Sequence, residues 1–269
     1  MDNTAAKTFR LLEALAAHAQ PRRVTELARE LGLAKSSVHR LLRTLIALGY
    51  ARQGEAGLYE ASLRMWEHGA RVLACLPVHQ VAHDHLMRLA AATGEHVNLA
   101  ILDGNEMLYV ATVEAVQGKR GRSMLGQRVV GRRAPLHGAA TGKVILAYQS
   151  DALIRAAAKE LRPATPRTIG TVERLRAELA EVRRRGFAMN LAEWFTDVHA
   201  IAAPIRRADG ETIAAVGIAG PAQRLQAKHL RALAPQVVET AAAITLDLAY
   251  AASSAGPPER PRWTSRLAG

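Results

Sequence analysis

The chain is almost without cysteine and poor in aromatic residues. Its one cysteine, Cys75, excludes an intrachain disulfide framework and fits a reducing compartment. Aromatics make up only 4% of the residues, so any core is chiefly aliphatic. No stretch approaches the ~18 consecutive apolar residues that span a membrane. The opening Met1-Asp2-Asn3-Thr4 has no charged segment leading into an apolar run, so no secretory signal is expected. These absences point to a cytoplasmic protein with no membrane partner. No Gly-x-Ser-x-Gly or other nucleophile–base pattern occurs, which speaks against a hydrolase. Acidic residues are a minority, 24 against 36 Lys and Arg, for a formal charge of +12. Such a chain attracts polyanions, but the placement of the charge decides whether that matters. With 269 residues, 49% of them hydrophobic, the chain suits one large domain or two ordinary ones.

Three short helical patterns fill the first fifty residues. Phe9, Leu12, Leu15 and Ala16 recur at helical spacing, and Gln20-Pro21-Arg22 breaks that pattern. Val24, Leu27, Ala28 and Leu31 fall at i, i+3, i+4 and i+7, one face of a second helix. Thr25 is its expected N-cap, Glu26 suits the positive end of its dipole, and Gly32 supplies the positive φ that ends it. Val38, Leu41, Leu42, Leu45 and Leu48 form the stripe of a third helix, closed by Gly49. Two such helices about the turn Gly32-Leu33-Ala34 make a helix-turn-helix. Opposite the third stripe lie Lys35, Ser36, Ser37, His39, Arg40 and Arg43, with no carboxylate among them. A helix that enters the major groove needs donors toward bases and phosphates and no acid facing the backbone. A winged-helix module that binds protein instead of DNA is the other reading of this surface.

Tyr50–Gln53 and Leu58–Ala61 flank the turn Gly54-Glu55-Ala56-Gly57 and read as a β-hairpin, the wing. Arg52 is its candidate DNA contact, while Glu55 and Glu60 oppose contact along its whole length.

Val24-Thr25-Glu26-Leu27-Ala28 through Gly32-Leu33-Ala34-Lys35-Ser36-Ser37-Val38-His39-Arg40-Leu41-Leu42 resembles the helix-turn-helix of the IclR family of regulators. Pro135-Leu136-His137-Gly138-Ala139-Ala140-Thr141-Gly142-Lys143 is similar to a segment of that family's effector domain. So are Arg185-Gly186-Phe187, Ile201-Ala202-Ala203-Pro204-Ile205 and Gly217-Ile218-Ala219-Gly220-Pro221, in the same order. The resemblance implies an α+β protein: an N-terminal winged helix-turn-helix (1–61), a linker helix (62–76) and a C-terminal GAF-like α/β effector-binding domain (77–250). It also implies a homodimer or dimer of dimers on palindromic double-stranded DNA, a small-molecule effector, and no cofactor.

Read without the resemblance, Leu63, Trp66, Ala70 and Leu73 make 62–76 an apolar helix, and Pro77 opens another that runs to about Ala92. Val97–Ile101 and Met107–Val113 flank the turn Asp103-Gly104-Asn105 as a hairpin. A second hairpin joins 200–206 to 212–219 about Asp209-Gly210, and helices fit 141–148, 151–161, 172–185 and 226–250. The Pro-rich end, 251–269, is expected to be disordered.

Gly138-Ala139-Ala140-Thr141-Gly142-Lys143-Val144 fails as a phosphate loop, being one residue short between the glycines and having Val after Lys. It suits a ligand loop whose backbone N–H groups meet a carboxylate at a helix N-terminus. The alternative is that the glycines only allow tight packing. The resemblance implies an effector site at Ala140, Thr141, Asn190, Ala200, Gly217 and Ala219. Family members that bind small keto acids carry Asp, Cys and two Ser at the last four places. This chain therefore suggests a roomier, more apolar pocket for an organic or aromatic acid, with Glu193 and Trp194 placed to lie over it. Lys119, Arg120, Arg122, Arg128, Arg132 and Arg133 form an acid-free basic segment. It reads as an anion-attracting lid, a subunit or DNA contact, or a solvated loop. His79, His83, Asp84 and His85 read as a solvated helix face and not a metal site, and Cys75 as a buried small hydrophobe. The alternative class is an enzyme acting on a small acid, with the winged helix appended.

Overall fold

The computed structural model describes residues 3–18, 20–114 and 129–254, which divide into two compact units between Cys75 and Leu76. The first unit opens with α1 (Asn3–Ala17), α2 (Val24–Leu31) and α3 (Lys35–Ala47). Leu11, Leu12, Leu15, Leu27, Val38 and Leu42 meet in one aliphatic core. Three residues of the expected stripes fall outside it: Phe9 is 66% and Leu48 56% exposed, and Ala16 is exposed as well. Leu11 takes the inward place on α1 that Phe9 was expected to fill, and α3 has already ended at Leu48.

The start of α2 also differs from expectation. Arg23, extended at φ −83°, is the cap residue, so Thr25 lies inside the helix. Glu26, three residues on, accepts from the Arg23 backbone N–H at 3.1 Å, the carboxylate half of a capping box. That bond, with the Arg22 guanidinium, lowers the Glu26 pKa. Gly32 closes α2 at φ +64°.

Strands β1 (Ala51–Gln53) and β2 (Tyr59–Ala61) pair antiparallel around a short 3-10 turn, Glu55–Gly57. Helix α4 (Arg64–Ala74) follows and has no buried residue. Leu63 and Trp66 are 74% and 70% exposed, and Cys75, expected inside, is exposed at the helix end. The apolar pattern of this segment thus forms a helix without forming a core.

The second unit is a six-stranded, wholly antiparallel sheet in the order β5-β4-β3-β8-β7-β6. Its strands are β3 (His96–Asp103), β4 (Glu106–Val113), β5 (Arg133–Pro135), β6 (Ala188–Leu191), β7 (Val198–Arg206) and β8 (Thr212–Pro221). The expected hairpins are β3–β4 and β7–β8, while the short β5 and β6 were not anticipated. Helices α5 (Pro77–Thr93) and α9 (Ala227–Ser254) pack together and onto β3 and β7. The end of α9 moves the expected start of the disordered tail: 251–254 are helical, and 255–269 lie outside the described residues. On α5, His85 is not solvated but lies 2.7 Å from Asp247 of α9.

Helices α6 (Ala140–Ala147), α7 (Asp151–Lys159) and α8 (Val172–Arg185) share a core with Ala100, Ala202 and Ala215 of the sheet. Side chains alternate across a strand, so Asn98, Ala200, Gly217 and Ala219 belong to the same face as these alanines. Pairing sets Asn98 and Ala202 on either side of Gly217, and Ala200 beside Ala219. Small residues on the α6 face leave a hollow there, while Leu99, Val216 and Ile218 fill the opposite face.

Candidate nucleic-acid surface and ligand cavity

Helix α3 exposes Lys35, Ser36, His39, Arg40 and Arg43, with Ser37 partly covered. None of these side chains has a hydrogen bond or ion pair among the described residues. Ala34 precedes the helix without a side-chain cap, and its first turn holds no acid. Free first-turn N–H groups and the positive end of the helix dipole add to the cationic field. The sequence-expected contacts of α3 therefore share one open surface. Arg52 differs, because its Nε lies 2.8 Å from Glu60 Oε1 across the wing. The basic charge expected on the wing is thus answered locally.

In the second unit a cavity of about 230 Å³ opens at the N-terminus of α6. All six residues expected at an effector site line it: Ala140, Thr141, Asn190, Ala200, Gly217 and Ala219. Sequence reasoning missed Asn98 and Tyr109, which strand pairing brings to the same wall. Of the basic segment, Arg132 and Arg133 also line the cavity, whereas Lys119, Arg120, Arg122 and Arg128 lie outside the described residues. Arg133 is held by Asp103, with Glu106 at 3.9 Å. The Arg132 guanidinium has no ion-pair partner among the described residues.

The polar groups of the wall divide into free and engaged. Ala139 caps α6 without a side-chain bond, so the first-turn N–H groups beside the cavity lack that partner. The Thr141 hydroxyl lies 3.2 Å from Met107 Sδ and 3.4 Å from the Tyr109 hydroxyl. Burial raises the Tyr109 pKa, which keeps the phenol neutral and able to donate. Asn98 accepts from Thr112 Oγ1 at 2.9 Å. Asn190 is a strut as well as a wall: its Nδ2 donates to Gly138 O at 2.6 Å and its Oδ1 accepts from Glu193 N at 3.0 Å.

Each glycine here has a packing reason. A Cβ on Gly142 would fall 2.6 Å from Leu136 O, and one on Gly217 2.6 Å from Ile201 O. On Gly138 it would fall 2.5 Å from Trp194 Cε3. The tight-packing reading of these glycines is thus borne out by the geometry, and the same loop borders the cavity.

Comparison with known proteins places these features in a lineage. Residues 4–55 match the IclR helix-turn-helix domain, and residues 70–246 match the model described as bacterial transcriptional regulator IclR C-terminal. The regulator XynR of Escherichia coli is 29% identical, over 91% of this chain and 97% of that protein. KdgR of the same organism is 30% identical, over 91% and 92%. The crystal structure of an IclR protein of Thermotoga maritima superposes with a TM-score of 0.77 at 28% identity, covering 93% of this chain and all of that one. An IclR homolog from Microbacterium hydrocarbonoxydans, solved in complex with 4-hydroxybenzoate, gives 0.78 at 26% identity, covering 91% and 99%.

Proposed function

The chain belongs to the IclR family of bacterial transcriptional regulators, and from that premise we propose how its own residues read DNA and sense an effector. It is a DNA-binding regulator controlled by a small molecule. The observation that carries the reading is the exposed, carboxylate-free surface of α3. Arg40, Arg43, His39 and the two serines meet base edges and phosphates in the major groove, and Lys35 and the open helix start meet the backbone. Arg52 contributes from the wing only when Glu60 releases it.

The effector is an organic acid held in the 230 Å³ cavity. Its carboxylate meets the first-turn N–H groups of α6, aided by the charge of Arg132. Its apolar body lies against Ala200, Gly217 and Ala219. The complex of a relative with 4-hydroxybenzoate supports an acid of this size. An effector changes DNA affinity only insofar as it binds the DNA-competent and incompetent shapes unequally.

The exposed apolar residues at the start of α4, Leu63 just before it and Trp66 on it, are covered by a second copy of the chain. A dimer presents two copies of α3 to the half-sites of a palindrome. The protein works in the cytoplasm, where its DNA lies.

The test is a salt-dependent mobility shift of the full chain on the DNA upstream of its own gene, with and without benzoate. Binding that weakens steeply with salt and responds to the acid supports the reading. No retention of that DNA at low salt contradicts it.

A further inference from the structure

The segment Ala192-Glu193-Trp194 is held with unusual redundancy for a loop. Lys143, whose side chain is 1% exposed, places Nζ 2.7 Å from both carboxylate oxygens of Glu193 and 3.3 Å from Glu178. Thr165 Oγ1 donates to Ala192 O at 2.7 Å, Thr168 Oγ1 donates to Glu193 O, and Asn190 takes the Glu193 N–H. Ala192 is kept at φ +64°, a conformation that favours glycine. Such strain persists only where the surroundings over-determine it. The product of all these contacts is the position of one ring. Trp194 lies against the bare backbone of Gly138 and lines the cavity, while Lys143 is not among the cavity's lining residues.

We propose that Trp194 is the specificity-determining wall of this cavity, a flat face that selects planar ring acids over non-planar acids of equal size. We propose further that Lys143 positions it from outside through Glu193. The inference rests on the reading of the cavity as the effector site. Its physical basis is that aromatic faces prefer to stack on flat partners, whereas apolar area alone does not distinguish flat from puckered rings.

Benzoate and cyclohexanecarboxylate match in charge and nearly in size, so the ratio of their dissociation constants reads the wall alone. In the full chain benzoate binds more tightly, by about tenfold. Trp194→Leu brings the ratio near one. Lys143→Met does the same, although it touches no ligand; a merely structural role would weaken both acids alike and leave the ratio intact. In a Trp66→Phe, Trp263→Phe background the remaining emission reports Trp194. There Lys143→Met raises acrylamide quenching about twofold without ligand. Should Lys143→Met fail to fold, Glu193→Gln, which keeps an acceptor for the ammonium while removing the charge, takes its place. A ratio unmoved by Trp194→Leu overturns the wall. A ratio and quenching both unmoved by Lys143→Met overturn the positioning role. If neither acid shifts the melting temperature, the effector reading itself falls and the selectivity with it.

Discussion

Arg52 and Glu60 face one another across the wing, with Nε 2.8 Å from Oε1 and the arginine 69% exposed. An exposed pair of this kind adds less than about 1 kcal/mol to stability. It matters more for how much charge the wing offers a phosphate. Glu60→Gln frees Arg52, and DNA affinity at fixed salt is expected to rise. The slope of log K against log salt is expected to steepen by about 0.9 for one phosphate gained. A titration across several salt concentrations checks this; an unchanged slope would remove Arg52 from the DNA contacts.

Gly138 and Gly142 predict an order of damage. At Gly142 a methyl meets the backbone of Leu136, which has no room to yield; at Gly138 it meets the edge of a side chain, Trp194. Overpacking costs about 1–3 kcal/mol. Gly142→Ala is expected near the top of that range and Gly138→Ala near the bottom, by urea denaturation of each variant. Only Gly138→Ala should also change the emission of Trp194. The reverse order would mean that Trp194 is the more rigid neighbour.

His137 makes stability depend on pH. Burial lowers its pKa; a bond to Arg162 O and the Glu193 charge oppose that shift without cancelling it. Below the unfolded value of about 6.5, the unfolded chain binds a proton that the folded chain resists. Stability is therefore full above that value and falls as the pH drops through it. Urea midpoints of the native chain should decline from neutral to mildly acidic pH, and His137→Gln should flatten part of that decline. Parallel curves for the two proteins would assign the acid sensitivity to other groups.

Trp66, 70% exposed on α4, gives the dimer a direct test. Trp66→Ser removes the largest exposed apolar side chain there without touching the core. Sedimentation velocity is expected to show a shift from dimer toward monomer, with loss of the native chain's preference for a palindrome over a half-site probe. A dimer unaffected by the change would place the contact elsewhere.

Helices were the legible part of this fold. Apolar residues at a period of 3.6 identify them without knowledge of their partners, and α8 matches the expected 172–185 at both ends. The same pattern misled where it said nothing of what covers the face: Trp66 sits on, and Cys75 just after, a helix with no buried residue. Strands β5 and β6, of three and four residues, are too short to show alternation. Half of the cavity was readable because Ala140, Thr141 and the small residues of β7 and β8 lie in similar segments. Asn98 and Tyr109 were not, since only the pairing of β3 with β8 and β4 brings them there. Lys143 looked like a failed phosphate loop, because its carboxylate partner lies fifty residues away.

The most direct measurement is a mobility shift of the full chain on its own upstream DNA, native against Arg40→Ala and Arg43→Ala. Each lost contact is expected to weaken binding by roughly 1–3 kcal/mol and to leave the melting temperature unaltered. Equal affinity for all three proteins, at every salt concentration, would contradict α3 as the reading helix.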